Sequence, residues 1–227
     1  MEELEVIDRA EQWAGFLKKK CKAQLNKVSR EFPSTRSIEI GYDVLEKYGK
    51  IGTILADDLL EHPGKTLNDI KDAIRAAHLI SGKDVEGNDI SDEIISKTNI
   101  RFVHLPRKTL IRDIRSEHIN KFISIDGIIR RVTEVRPRLV IGAFRCANAE
   151  CTQKKLELIQ GLSTFIDAQK IRVQETPEGL RGGEQPQTID IDCIDDICGT
   201  VTPGDRVIIN GILRSVQRVQ NGQKSTV

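Results

Sequence analysis

The chain has 227 residues, 38% of them hydrophobic, which is enough for one large domain or two small ones with a buried core. A net charge of +1 excludes a uniformly polybasic or polyacidic protein, no run of about 18 apolar residues predicts a membrane span, and Glu2, Glu3 and Glu5 after Met1 do not read as a signal peptide. Five cysteines at irregular spacing point to reduced thiols or metal ligands rather than a disulfide framework, and so to an intracellular protein.

The near-zero charge conceals an uneven distribution. Residues 1–100 hold 15 Lys/Arg against 19 Asp/Glu, residues 101–140 hold 10 against 4, and residues 141–227 hold 10 against 11. A basic block inside a neutral chain fits a locally anionic partner, nucleic acid first, although a solvated basic face has the same signature.

Residues 1–98 read as a helical bundle domain. Ile7, Ala10, Ala14, Leu17, Cys21, Leu25 and Val28 recur every three or four positions and predict one long amphipathic helix, with Lys18, Lys19, Lys20 and Lys22 largely on its other side. Shorter helices are predicted over Tyr42–Tyr48, Ile51–Glu61 and Leu67–Ile80, with His62-Pro63-Gly64 ending the third helix and Thr66 placed to cap the fourth. Pro63-Gly64-Lys65-Thr66 ends like a phosphate-binding loop, but Leu59 stands where that motif needs glycine and a helix precedes it instead of a strand, so no nucleotide site follows. His62, His78, His104 and His118 are scattered, and no nucleophile has a credible base, so catalysis has no local support. Gly82–Asp89 reads as a linker or an exposed loop.

From residue 99 to 227 the period is that of strands, which predicts a small β-barrel interrupted by an insert at 145–163. Phe122 to Val132 predicts a strand broken at Gly127, and Val135–Pro137 is expected to turn it into a second strand over Leu139–Phe144. Arg131 and Arg136, five apart, would face opposite ways on an ideal strand, and the bend at Val135–Pro137 is expected to bring both to one groove, with Arg130 pointing away. Planar guanidinium groups suit phosphate oxygens, and Lys170 with Arg172 can extend the set; the alternative is arginines that merely keep a sheet face soluble. Aromatics make up 4% of the chain, with Phe122, Phe144 and Phe165 in the barrel region, so phosphate contacts are expected to outweigh base stacking. Asn221-Gly222 between alternating runs predicts a tight hairpin with Arg218 and Lys224 near its tip.

Four blocks of wording carry a family resemblance: L-I-R-D-I-R-S-E-H-I-N-K-F-I-S-I-D-G-I-I-R-R-V-T-E-V-R-P, F-I-D-A-Q-K-I-R-V-Q-E, P-E-G-L-R-G-G-E-Q-P and P-G-D-R-V-I-I-N-G-I-L-R. In this order they resemble the N-terminal region of minichromosome maintenance (MCM) replicative DNA helicases of archaeal type, over roughly Leu105–Val227, while the helical part is similar in layout only. The resemblance implies an α+β architecture: a helical bundle followed by an OB-fold barrel from which a zinc-binding lobe, here shortened or incomplete, emerges. It implies a non-catalytic region that binds DNA without regard to sequence, single-stranded and also double-stranded, and assembles into a hexameric ring, double ring or filament. ATP and Mg would serve only a full-length helicase, through its own ATPase domain, in the cytoplasm at the chromosome, or in the nucleus of a eukaryote.

By the same resemblance, Arg131 and Arg136 belong to the single-strand-binding face, Arg218 and Lys224 to a basic hairpin, and Glu178, Leu180, Gly182, Gly183 and Pro186 to a loop that relays between domains. Cys146 and Cys151 open the insert where the zinc lobe would begin. A tetrahedral zinc site needs four ligands, and Thr152–Leu162 supplies no second cysteine pair. Cys193 and Cys198 repeat the spacing but read as small buried thiols. Two other readings stay open: a free-standing OB-fold single-strand-binding protein, and a protein-interaction scaffold.

Overall fold

A computed structural model describes residues 9–83, 87–146, 156–179, 184–220 and 223–226. It divides into two compact units, residues 1–125 with 208–227 and residues 126–207. The first strand pair of the protein lies in the first of these units. β1 (Ser37–Gly41) runs parallel to β2 (Asn99–Val103), in register from Ser37↔Asn99 to Gly41↔Val103. β1 was not legible as a strand, since five residues of alternation is a short signal, yet its Ile38 and Ile40 are fully buried.

In the helical unit, α1 (Arg9–Lys20) and α2 (Lys22–Glu31) replace the single long helix expected. Cys21 interrupts it, while Cys21 N–H still donates to Leu17 O at 2.9 Å and Leu25 N–H to Cys21 O at 3.0 Å, so the apolar stripe crosses the bend unbroken. That continuity is why periodicity alone does not reveal the break. The short α3 (Tyr42–Glu46) follows, then α4 (Gly49–Glu61), α5 (Pro63–Ala76) and α6 (Ser91–Lys97).

α5 begins earlier than predicted, with Pro63 in its first turn, where a missing N–H costs nothing. Thr66 therefore does not cap it. The buried hydroxyl faces the carbonyls of Asp58 and His62, each at 3.1 Å, and ties the end of α4 to the start of α5. The core packs Trp13, Phe16 and Leu17 against Leu55, Leu59, Ile70, Ile74 and Phe102, with edge-on ring contacts of Trp13 to Phe16 and Phe102.

The remaining strands form β3 (Phe122–Val132), β4 (Arg136–Ile141), β5 (Phe144–Cys146), β6 (Leu156–Leu158), β7 (Thr164–Gln174), β8 (Thr188–Ile194), β9 (Arg206–Ile212), β10 (Gln217–Gln220) and β11 (Gln223–Thr226). Five of them make one sheet in the order β4, β7, β3, β9, with β8 also on β7. β3 and β9 each run through the boundary between the two units. Among the described residues no further pairing closes this sheet on itself. β5 and β6 pair as a separate antiparallel ladder at the insert, and β10 and β11 pair as another, while Asn221 and Gly222, where the tight turn was expected, lie outside the described residues.

In the 126–207 unit β7 is the axis. β8 holds one edge of it from Ala168↔Ile194 to Gln174↔Thr188, so β3 (Ile128↔Gln174 to Val132↔Ile171) and β4 (Arg136↔Ala168 to Ile141↔Thr164) must share the other edge. Both are antiparallel to β7, so they run in the same direction. They are one strand interrupted at Thr133–Val135, and the reversal expected at Val135–Pro137 does not occur. Nor does Gly127 break the strand. A Cβ there would lie 2.5 Å from Val173 Cγ1 and 2.6 Å from the Gln174 carbonyl oxygen, so glycine is required by close approach of β3 to β7. Ile129, Ile171, Val173 and Cys193 are buried on the inward face.

Candidate nucleic-acid interface

The register along β7 decides which side chains meet. Ile129 pairs with Val173, both buried, so on a regular strand Arg131, two residues on, would also point inward. A one-residue slip at Arg130 pairs Arg131 with Arg172 instead and turns it outward. Val132 then pairs with Ile171 on the inward side. The break at Thr133–Val135 adds another residue, so Arg136 meets Ala168 and also faces outward. Two slips thus bring to one face two arginines that their odd spacing would separate. Arg130 is the exposed extra residue of the first slip.

The break is held in place by specific bonds. Thr133 N–H donates to Lys170 O at 2.9 Å, and Lys170 N–H donates to Thr133 Oγ1 at 3.0 Å. Buried Gln169 donates Nε2–H to Thr133 O at 2.8 Å and accepts Gly199 N–H on Oε1 at 2.8 Å. Each end of this buried amide is therefore satisfied, and one side chain fixes both the break and the turn at Gly199.

Over the break opens a cleft of about 700 Å³. Arg131, Arg136, Arg138 and Lys170 line it, along with Glu134 and Asp192. Arg172 lies beside it, directly opposite Arg131. Arg136 pairs with Glu134 at 3.2 Å, but both side chains are more than three-quarters exposed, and such a pair is worth little in water. Lys170 meets Asp192 at 3.4 Å. Arg172 is held by both oxygens of Asp190, at 2.6 and 2.8 Å, and this bond pushes its pKa above the ordinary arginine value. No ion pair holds Arg131 or Arg138 among the described residues.

Arg138 was missed by the sequence reading. The signal existed: it stands two residues after Arg136, hence on the same face of a regular strand. Phe144 and Phe165 are exposed, but neither lines the cleft.

The other expected sites separate from this one. Glu178 sits in the loop after β7 and forms an ion pair with Arg206, which pushes the Arg206 pKa up; Pro186 lies in the same loop, and Leu180, Gly182 and Gly183 lie outside the described residues. The base of that loop is clamped by buried Glu175, whose N–H donates to Gln187 O and whose Oε2 accepts the Gln187 N–H, each at 3.1 Å. Arg218 pairs in register with Ser225 and Lys224 with Val219, so the two basic residues are not cross-strand partners. Cys146 ends β5, opposite Leu156, and Cys151 lies outside the described residues. Cys193 is buried, and Cys198 donates its thiol hydrogen to the Cys193 carbonyl at 3.5 Å; burial raises the pKa of both thiols. Among the described residues no three metal-ligating side chains cluster, and no helix is long and apolar enough to cross a membrane.

Comparison with known proteins agrees with this architecture. Residues 110–217 match the family model of the MCM OB domain. The chain is 32% identical over 145 residues to the minichromosome maintenance protein MCM of Saccharolobus solfataricus, covering 52% of this chain and 21% of the relative. It is 29% identical over 217 residues to the DNA replication licensing factor mcm3 of Schizosaccharomyces pombe, covering 84% of this chain and 24% of the relative. It thus spans about a fifth of the length of the curated relatives it matches. A crystal structure at 1.8 Å of the N-terminal domain of an archaeal MCM superposes with a TM-score of 0.73 at 26% identity, covering 96% of this chain and 94% of that one. The MCM OB domain at residues 110–217 and the likeness along 96% of the chain to the N-terminal domain of an archaeal MCM support an N-terminal MCM fragment.

Proposed function

We propose that this chain is the DNA-binding and assembly region of a replicative helicase, and that the outward face of β3, β4 and β7 grips the sugar-phosphate backbone. The reading is carried by one observation: Arg131 and Arg138 line the cleft with no ion pair among the described residues. A guanidinium stays charged at any physiological pH and gains more from a phosphate than from water. No stacked rings line the cleft, so recognition is of charge and spacing and is independent of base sequence.

ATP binding, with Mg, and duplex unwinding are assigned to an ATPase domain outside these 227 residues, and the loop carrying Glu178 and Pro186 is proposed to face it. Self-assembly into a ring, double ring or filament, and location at chromosomal DNA, in the nucleus of a eukaryote, belong to the same reading. Lys170, Arg172 and the hairpin residues Arg218 and Lys224 are proposed as further DNA contacts. Zinc remains a proposal for Cys146 and Cys151 alone.

Fluorescence anisotropy with a labelled oligothymidylate across a salt series tests the interface. Arg131→Ala and Arg138→Ala should each make the slope of log affinity against log salt shallower by roughly 0.7, and so weaken binding by about eightfold at about 50 mM salt. Affinities and slopes equal to wild type in both variants would remove the site. No binding by the wild type at low salt would favour the scaffold reading.

A further inference from the structure

Besides the exposed Arg136–Glu134 pair, two cations on the outward face hold carboxylates of the neighbouring strand β8. Asp190 presents both oxygens to Arg172, at 2.6 and 2.8 Å, and Asp192 stands 3.4 Å from Lys170. The sheet dictates both pairs, since Arg172↔Asp190 and Lys170↔Asp192 are directly opposed across β7 and β8. Two parallel N–H donors meeting two anionic oxygens is also the geometry in which a guanidinium takes a phosphate. The carboxylates lie on the edge of β7 away from Arg131, so the face reads, across three strands, as an arginine without a carboxylate, an arginine with one, and the carboxylate itself.

We propose that Asp190 and Asp192 are intramolecular stand-ins for phosphate. In the free protein they neutralise Arg172 and Lys170, and an entering nucleic-acid backbone displaces them. Arg172 and Asp190 are 50% and 41% exposed at their side chains, so the exchange needs only side-chain rotation and no opening of the core. Arg131 and Arg138 make the first phosphate contacts, and Arg172 and Lys170 join once released. Asp190 also shields Arg172 from Arg131, which stands directly opposite with the same charge. The carboxylates thereby hold affinity for any polyanion below what five cations would give, a useful property for a surface that must hold a strand and still let it move.

The inference rests on the polyanion reading, and a double-mutant cycle separates the two. The probe is labelled oligothymidylate, and the variants are Asp190→Asn, Arg172→Ala and their combination, with Arg131→Ala beside them. Asp190→Asn, nearly isosteric, should bind more tightly, by about two- to fivefold and with the wild-type slope, because Arg172 reaches a phosphate in both proteins and only the cost of displacing the carboxylate is gone; a slope steeper by roughly 0.7 would mean that Asp190 stays in place and would overturn the displacement. That gain should vanish in the Arg172→Ala background. A gain that persists there is general attraction to a more positive face and overturns the displacement. Binding unchanged or weakened by Asp190→Asn, with Arg131→Ala still weakening it, overturns the displacement and leaves the interface standing. Loss of oligonucleotide binding by the wild type overturns both. Asp192→Asn with Lys170→Ala repeats the cycle on the second pair, should Asp190→Asn lower the melting temperature.

Discussion

Gly127→Ala tests whether the register that builds the interface depends on close approach of β3 to β7. The added methyl would sit 2.5 Å from Val173 Cγ1 and 2.6 Å from the Gln174 carbonyl oxygen, where carbon contacts normally settle near about 3.5–4.0 Å. Val173 is fully buried, and Gln174 is paired with both Ile128 and Thr188, so neither neighbour can retreat without moving a ladder. Overpacking of this kind costs about 1–3 kcal/mol. At ~2 kcal/mol a chain of this length should lose about 4–8 °C in melting temperature. The assay is thermal unfolding followed by far-ultraviolet circular dichroism, with guanidinium titration as a check. Gly211→Ala is the control: nothing lies within 4 Å of its Cβ position, and its melting temperature should stay level or rise slightly. Because the slip at Arg130 begins three residues beyond Gly127, oligothymidylate affinity of the Gly127 variant should fall as well. Equal melting temperatures for the two glycine variants would refute the close-approach reasoning.

Gln169→Leu should destabilise by about 1–3 kcal/mol, the net worth of its two hydrogen bonds to the Gly199 N–H and the Thr133 carbonyl, and guanidinium unfolding would measure it; a neutral outcome would show that the amide does not hold the break. Cys21 supplies a pH prediction: burial pushes its thiol up to about 11 from an ordinary 9.0. The folded state favours the neutral thiol, so this contribution is complete below pH 9.0 and is lost as pH rises toward about 11, by about 2–3 kcal/mol in all. Guanidinium midpoints of the wild type should therefore fall between pH 8.5 and 10.5 by more than those of Cys21→Ala. Elemental analysis of protein purified without added metal decides the proposal for Cys146 and Cys151, with near-stoichiometric zinc expected to disappear in Cys146→Ser.

The wording of residues 105–227 sufficed for the OB domain, matched over 110–217, and the change of period near residue 99 marked where the run of strands after β1 begins, because apolar alternation and turn residues are local properties. The helices other than α6 were legible for the same reason, in type more than in bounds. The Cys21 bend, β1 and the early start of α5 were not, since each depends on a partner distant in sequence or on a single backbone angle.

The candidate interface divides along the same line. That arginines crowd 101–140 and that Arg131 and Arg136 can serve a polyanion is written in residue type and order alone. Which way they face is not, because a strand side chain's direction depends on the parity of pairing. Parity here is reset at Arg130 and again at Thr133–Val135 by the fit of β3 and β4 along a single edge of β7. The carboxylates facing Arg172 and Lys170 come from β8, about twenty residues away in sequence. Local chemistry thus supplied the charges, and long-range pairing, which no periodicity encodes, decided which of them are free.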